Sequence, residues 1–241
     1  MTTTRDAFLG GRLHLYQPRD GFRSGSDAVL LAAAVPAQSG QRILDLGCGA
    51  GVAMYCLAAR VPDLALTGVE READLIPLAQ RNGPAEVVQA DVFALPDEVR
   101  ARQWDHVLTN PPYFVAGAGS AATNQGREAG LREGALGDLA RWVRLACKRV
   151  APKGTMTVIA RADRLGDILP EVAAALGRVR VLPIAAQPDT TAKRVIVQGT
   201  KNARAPLALL PPLILHRGDG GPGYGAQADQ ILREGATLSL A

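Results

Sequence analysis

Apolar positions fall into short runs that alternate with segments of helical period, the succession produced by strands and crossover helices in a parallel sheet. Arg42-Ile-Leu-Asp-Leu46 predicts a first strand, Val52 to Arg60 a helix, Leu64 to Val69 a second strand, Ala73 to Arg81 a helix, and Glu86 to Ala90 a third strand. Trp104 to Thr109 follows as a fourth strand and Leu136 to Val150 as a helix with a basic outer face. Gly154 to Ala160 then reads as a fifth strand and Asp163 to Leu176 as a helix that Pro170 is expected to kink. The last two strands, Val179 to Ile184 and Arg194 to Gly199, are joined around Gln187 to Ala192. That connection is shorter than the dozen or so residues a parallel crossover needs, so it predicts an antiparallel hairpin. The tail from Ala205 opens proline-rich and then offers a strand at Leu213 to His216 and a helix at Ala226 to Arg233. The fold class is therefore α/β, a mostly parallel seven-stranded sheet with one antiparallel strand and helices on both faces. A single domain is expected, with an N-terminal extension over 1–40, a core over 41–204 and a tail over 205–241 that packs on the core.

Composition narrows the class. With 241 residues, 47% hydrophobic and 21% charged, the chain can bury a large core, and 26 Gly with 16 Pro fall short of the level that signals disorder. The longest apolar runs, Ala28 to Ala37 and Ala205 to Leu215, are well below the roughly 18 residues of a membrane span. No stretch near the start resembles a signal peptide, which predicts a cytoplasmic protein without a membrane partner. Cys48, Cys56 and Cys147 show no metal-ligand spacing and are expected to be buried thiols, with no metal in the site. His14, His106 and His216 are scattered, and His106 is expected to be a packed or partly exposed residue of its strand. The net charge of +4 is unevenly spread: from Arg60 to Asp105 five basic residues face nine acidic ones, whereas Arg178 to Arg204 holds six basic residues and one acidic. A second basic cluster is Arg141, Arg144, Lys148 and Arg149. Such a distribution suits a polyanion-binding face, though ordinary solvated surface has the same look.

The first strand runs into Asp45-Leu-Gly-Cys-Gly-Ala-Gly51. Gly47, Gly49 and Gly51 let the backbone turn sharply into a helix and let a ligand lie against main-chain atoms. A dinucleotide fingerprint starting at Gly47 would need a small residue at Val52, and no Walker-type Lys-Ser or Lys-Thr pair follows. S-adenosylmethionine, which has no pyrophosphate, suits the turn better. Glu70, at the tip of the second strand, could accept both hydroxyl protons of a ribose. Asp91 and Val92 stand at the tip of the third strand.

The fourth strand ends in Asn110-Pro-Pro-Tyr113. A ring-conjugated amino nitrogen is a poor nucleophile because its lone pair is delocalised. If the Asn110 side-chain oxygen and the Pro111 carbonyl each accept one N–H, the lone pair is directed at a sulfonium methyl. Pro111 and Pro112 fix the backbone, and Tyr113 supplies a face for a planar group, a stack worth roughly 1–3 kcal/mol per base. The acceptors compatible with this tetrapeptide are adenine N6, cytosine N4, guanine N2 and the glutamine amide.

The glycine turn resembles the first motif of the class I methyltransferases, which have a Rossmann-like fold. The resemblance implies that Asp45 belongs to the cofactor site, that Glu70, followed by Arg71, binds the ribose, and that Asp91 and Val92 hold the adenine. Tyr16-Gln-Pro-Arg-Asp-Gly-Phe-Arg-Ser-Gly-Ser-Asp-Ala-Val-Leu-Leu-Ala32, the Asn-Pro-Pro-Tyr-Phe114 form of the substrate motif and Val195-Ile-Val-Gln-Gly-Thr-Lys201 are similar to the bacterial tRNA adenine-N6 methyltransferases that modify valine tRNA beside the anticodon, at position 37. By that resemblance Gly21 to Asp27 forms a lid over the cofactor, with Phe22, Arg23 and Ser24 close to its methionine end. Arg23 could pair with the methionine carboxylate, and Asp27 would cap the helix that follows. The partner implied is tRNA, with base stacking on Tyr113 and Phe114 and phosphate contacts from Arg127, Arg132, Lys193 and Arg194. Two alternatives remain open: a guanine-N2 or other rRNA base methyltransferase, and a glutamine-amide methyltransferase acting on a protein. Members of the latter group carry a sizeable helical domain ahead of the fold, and 44 residues before Asp45 are expected to be too few for it. Both a monomer and a homodimer are compatible with the sequence.

Overall fold

The computed structural model describes residues 1–111, 137–217 and 223–241, together with the backbone of two short strands at 114–115 and 132–133. The chain opens on an antiparallel hairpin, β1 (Thr3–Phe8) and β2 (Leu13–Pro18), and continues into α1 (Ser26–Ala34). The central sheet and its crossovers then follow as β3 (Arg42–Leu46), α2 (Val52–Arg60), β4 (Ala65–Glu70), α3 (Ile76–Asn82), β5 (Glu86–Gln89), α4 (Asp97–Arg100) and β6 (Trp104–Thr109). The short strands β7 (Phe114–Val115) and β8 (Arg132–Glu133) pair parallel to each other. Next come α5 (Asp138–Lys148), β9 (Val150–Arg161), α6 (Leu165–Ala175), β10 (Gly177–Ala185), β11 (Arg194–Thr200), β12 (Ala208–Leu209), β13 (Leu213–Ile214) and α7 (Ala226–Glu234).

The sheet order is β5-β4-β3-β6-β9-β11-β10, with β12 and β13 added along the outer edge of β10. The described sheet thus has nine strands where seven were expected, because the proline-rich tail contributes two short parallel edge strands. β11 runs antiparallel to both β9 and β10, so the reversed strand and its hairpin are as the short connection required. The chain leaves β3 towards β4 and β5 and then returns to the other side of β3 as β6. The strand order reverses there, and in such sheets the crevice outside the carboxyl ends of the two strands is the ligand site.

Strand residues alternate between two cores, as a period of two dictates for a sheet covered on both faces. Ile43, Leu108, Ile159 and Ile196 face α1, α2 and α7, whereas Leu44, Leu46, Val107, Val158 and Val197 face α5 and α6. Every residue of α1 from Ala28 to Ala34 is buried, which explains its apolar composition on all sides. The C-terminal segment closes over it, with the Leu238 N–H donating to the Ala33 carbonyl at 2.9 Å.

Some expectations need correction. The residue capping α1 is Gly25 rather than Asp27, which lies inside the first turn and pairs with Arg194 at 2.8 Å. The strand expected from Gly154 begins four residues earlier, at Val150, and the helix expected from Asp163 begins at Leu165, with Pro170 inside it. The strand expected over Leu213 to His216 stops at Ile214. His106 is buried, between the Thr155 hydroxyl at 2.7 Å and the Gln41 side-chain oxygen at 2.9 Å, and burial pushes its pKa down to about 4. All three cysteines are free, buried thiols.

Arg60 locks this layer. Its guanidinium donates to the Ala32 carbonyl at 3.1 Å and the Val35 carbonyl at 2.5 Å, at the open C-terminal end of α1, and to the Thr237 hydroxyl at 3.2 Å. Arg60→Met keeps the aliphatic stem and removes these bonds, so it is expected to cost about 1–3 kcal/mol and several degrees of melting temperature. Thermal unfolding followed by circular dichroism checks this; an unchanged midpoint would show that water replaces the guanidinium at no cost.

Candidate active site

The glycine turn sits at the carboxyl end of β3, and its form follows from its residues. Gly47, Gly49 and Gly51 all have positive φ, at 72°, 57° and 81°. A Cβ on Gly47 would stand 2.9 Å from the Trp142 ring, and one on Gly51 would stand 2.6 Å from Tyr55, so packing as well as backbone conformation requires glycine there. Nothing lies within 4 Å of the position a Cβ on Gly49 would take, and this is the open side of the turn. The N–H groups of Gly47 and Cys48 both donate to the Val69 carbonyl, at 2.8 and 3.0 Å, which ties the turn to the end of β4.

Glu70 closes β4 and is 9% exposed. Its Oε2 accepts from the Gly49 N–H at 2.8 Å, and Oε1 accepts from the N–H groups of Arg71 and Glu72 at 2.7 and 2.9 Å. Three backbone donors therefore fix the carboxylate beside the open side of the turn, with lone-pair capacity left on Oε2. The Arg71 side chain is exposed and pairs with Glu72 at 2.9 Å. Asp91 caps a single 3₁₀ turn by accepting from the Phe93 N–H at 2.8 Å, and Val92 is buried beside it.

Asp45 is 2% exposed. The backbone N–H of Met54 acts to favour its charged form, but Oδ2 is buried with no hydrogen-bond partner among the described residues. Burial, reinforced by the negative charge of Glu70, pushes its pKa up to about 7. An unsatisfied buried carboxylate oxygen at the base of a glycine turn suits a cationic amino group, as S-adenosylmethionine carries at its methionine end. Asp45, Glu70 and Asp91 lie at or near the ends of three adjacent strands, so the residues present fit that cofactor.

Asn110 and Pro111 directly follow β6, whose Thr109 lies opposite Leu46 of β3. Asn110 is half-buried and Pro111 buried. Asn110-Pro111 thus stands beside the glycine turn at the point where strand order reverses. Pro112, Tyr113 and Arg127 lie outside the described residues. Phe114 and Arg132 pair across β7 and β8, their side chains being outside the description as well.

The segment expected as a lid is held by the N-terminal hairpin. Gln17 donates to the Ser24 carbonyl at 3.1 Å and accepts from the Ser24 N–H at 2.8 Å, while Asp6 accepts from Gln17 and Arg23, both at 2.7 Å. Arg23 is therefore paired with Asp6, and Phe22 is half-buried. Asn82 clamps the hairpin to the glycine turn, accepting from the Tyr16 N–H at 2.7 Å and donating to the Tyr16 and Ala50 carbonyls at 2.9 Å. In sequence Asn82 reads as the end of a helix before Gly83, and nothing there signals this clamp.

Several of the basic residues have partners. Arg194 pairs with Asp27, Arg144 with Glu171 at 2.6 Å, and the Arg141 guanidinium lies 4.5 Å over the Phe93 ring. Lys193 is exposed next to Arg194. Among the described residues no cluster of metal ligands occurs, and no helix is long and apolar enough to cross a membrane.

Sheet order, glycine turn and carboxylate-bearing strand ends are those of the Rossmann-like class I methyltransferase fold, with residues that fit S-adenosylmethionine. Residues 19–128 match the methyltransferase small domain. The chain is 29% identical over 167 residues to the tRNA1(Val) (adenine(37)-N6)-methyltransferase of Aeromonas hydrophila, covering 67% of this chain and 69% of the relative. It is 27% identical over 206 residues to the enzyme of that name from Actinobacillus succinogenes, covering 83% and 85%. Among solved structures, a predicted O-methyltransferase from Agrobacterium tumefaciens superposes with a TM-score of 0.71 at 27% identity, covering 88% of this chain and 98% of that one. A 16S rRNA N2 G1207 methyltransferase of T. thermophilus, solved with AdoMet and guanosine, superposes with a TM-score of 0.55 at 18% identity and shares the fold, covering 83% of this chain and 50% of that one.

Proposed function

We propose that this methyltransferase acts on the exocyclic N6 of adenine in tRNA, at position 37 beside the anticodon of a valine tRNA, as a cytoplasmic monomer or homodimer. The observation that carries the reading is the adjacency of the glycine turn and Asn110-Pro111 at one strand reversal, which would bring a bound cofactor and the acceptor amine together. The similarity to the tRNA1(Val) enzymes supports the choice of acceptor.

Bound S-adenosylmethionine supplies an electrophilic sulfonium methyl. Asp45 would receive the cofactor's amino group, Glu70 its ribose hydroxyls, and Asp91 with Val92 its adenine, while Phe22, Arg23 and Ser24 would serve its methionine end. The Asn110 side-chain oxygen and the Pro111 carbonyl accept the two N–H bonds of the target amine, and Pro112 and Tyr113 shape and stack the base. Proton loss follows methyl transfer, so no strong base is needed. Phe114, Arg127, Arg132, Lys193 and Arg194 provide the RNA contacts.

Incubation of the full chain with labelled cofactor and unmodified total tRNA, followed by nucleoside mass spectrometry, is expected to yield N6-methyladenosine. N2-methylguanosine, a methylated glutamine in an added protein fraction, or no labelled nucleoside would overturn the reading.

A further inference from the structure

Trp142 stands on α5, within a run of basic residues, and its indole points towards the site. Its Nε1–H donates to the Thr109 hydroxyl at 2.9 Å, and that hydroxyl donates in turn to the Leu46 carbonyl at 2.7 Å. Thr109 is fully buried, and its single proton is committed to Leu46, so the indole N–H is the donor its oxygen requires. Thr109 immediately precedes Asn110, and Leu46 immediately precedes Gly47. The Trp142 ring also lies where a Cβ on Gly47 would be, 2.9 Å away, and meets Phe93 edge-on at 5.9 Å. One side chain thus touches the ends of β3 and β6 and the turn after Asp91.

We infer that Trp142 is a positioning residue for methyl transfer, its indole N–H holding the β6 tip, through Thr109, in register with the glycine turn so that Asn110 meets the cofactor site. The inference rests on the reading of Asn110 as the residue that orients the acceptor amine. β3 and β6 are bonded to each other up to Leu46 and Thr109, and beyond that pair the two chains diverge into the turn and the acceptor motif. The Trp142–Thr109–Leu46 chain spans the place where strand pairing stops. Without it the two tips keep their packing but lose a fixed relative position, and small misplacements of reacting groups cost rate far more than binding.

The test compares Trp142→Phe, which keeps an aromatic ring against Gly47 and Phe93, with Thr109→Val and Thr109→Ser. Trp142→Phe and Thr109→Val are each expected to lower kcat by roughly ten- to a hundred-fold, with the cofactor Kd within about three-fold of the parent. Thr109→Ser, which restores both hydrogen bonds, is expected to recover most of the turnover. The chain has two tryptophans, so 5-fluorotryptophan labelling gives two fluorine signals, assigned by the loss of one in Trp142→Phe. Adding S-adenosylhomocysteine is expected to shift the Trp142 signal and leave that of the fully buried Trp104 in place. Undiminished kcat in Trp142→Phe, or a cofactor affinity that falls in step with kcat, would overturn the inference. If the parent protein itself transfers no methyl group to tRNA, the acceptor reading fails instead, and an unmoved Trp142 fluorine signal then decides against the positioning role.

Discussion

Asn110→Ala is expected to lower methyl transfer to tRNA by roughly two to three orders of magnitude, the cost of removing one preorganised polar contact from a reacting centre. The cofactor Kd should stay within a few-fold of the parent, since the turn, Asp45, Glu70 and Asp91 are all held by other bonds. Glu70 is fixed by the N–H groups of Gly49, Arg71 and Glu72, and the turn by the Val69 carbonyl, none of which passes through Asn110. Loss of rate without loss of binding is the signature of an interaction made at the reacting atoms. Single-turnover assays with a tritiated methyl group, paired with calorimetric titration of the cofactor, measure both quantities. Undiminished turnover would remove Asn110 from the acceptor site, and a matching loss of cofactor affinity would make it a cofactor ligand.

The second large effect is expected at Asp45. Its pKa is raised from 3.8 to about 7 in the free protein, so between those values the folded chain holds a proton that the unfolded chain has lost. For this group stability is therefore greatest at low pH, and it declines as pH rises from about 4 towards 7. Cofactor binding reverses the balance, because a cationic amino group beside the carboxylate favours its charged form and drives the proton out. Affinity should then weaken by up to about ten-fold per pH unit below 7, and calorimetry in buffers of different ionisation enthalpy should detect proton release near pH 6. Asp45→Asn abolishes that pH dependence and is expected to weaken binding by at least about ten-fold at pH 8. The same substitution should stabilise the free protein by about 1–3 kcal/mol at pH 8, the advantage vanishing near pH 4. A pH-independent Kd in the parent would show that Asp45 stays ionised without its ligand.

These two residues lie where the sequence was easiest to read. A run such as Arg42 to Leu46 followed by alternate glycines constrains the backbone locally, and the acidic positions at successive strand ends need only the strand assignment to be placed. The strand tips carrying Asp45, Glu70 and Asn110 came out within one residue of expectation for that reason. The N-terminal region was harder. Arg23, expected near the methionine carboxylate, pairs in this structure with Asp6, which stands on a hairpin strand that no local pattern announced. Basic residues were legible as charge but not as partners: Arg144 finds Glu171, and Arg194 finds Asp27 from 167 positions away.

Local chemistry in the chain was enough to specify the doubly covered sheet, its reversed strand, the glycine turn and the Asn110-Pro111 turn after β6, because hydrophobic period and backbone restriction act over a few residues. The relation among these parts came from folding. Trp142 sits on a helical stripe with Leu139, Val143 and Ala146, which marks it as facing inward, but its hydrogen bond to Thr109 exists only once α5 has docked on the sheet. The same holds for Asn82 against Tyr16 and Ala50, and for the partnerless oxygen of Asp45. Directional bonds and burial depend on which elements meet in space, and that is settled by packing the two faces of the sheet rather than by any stretch of sequence.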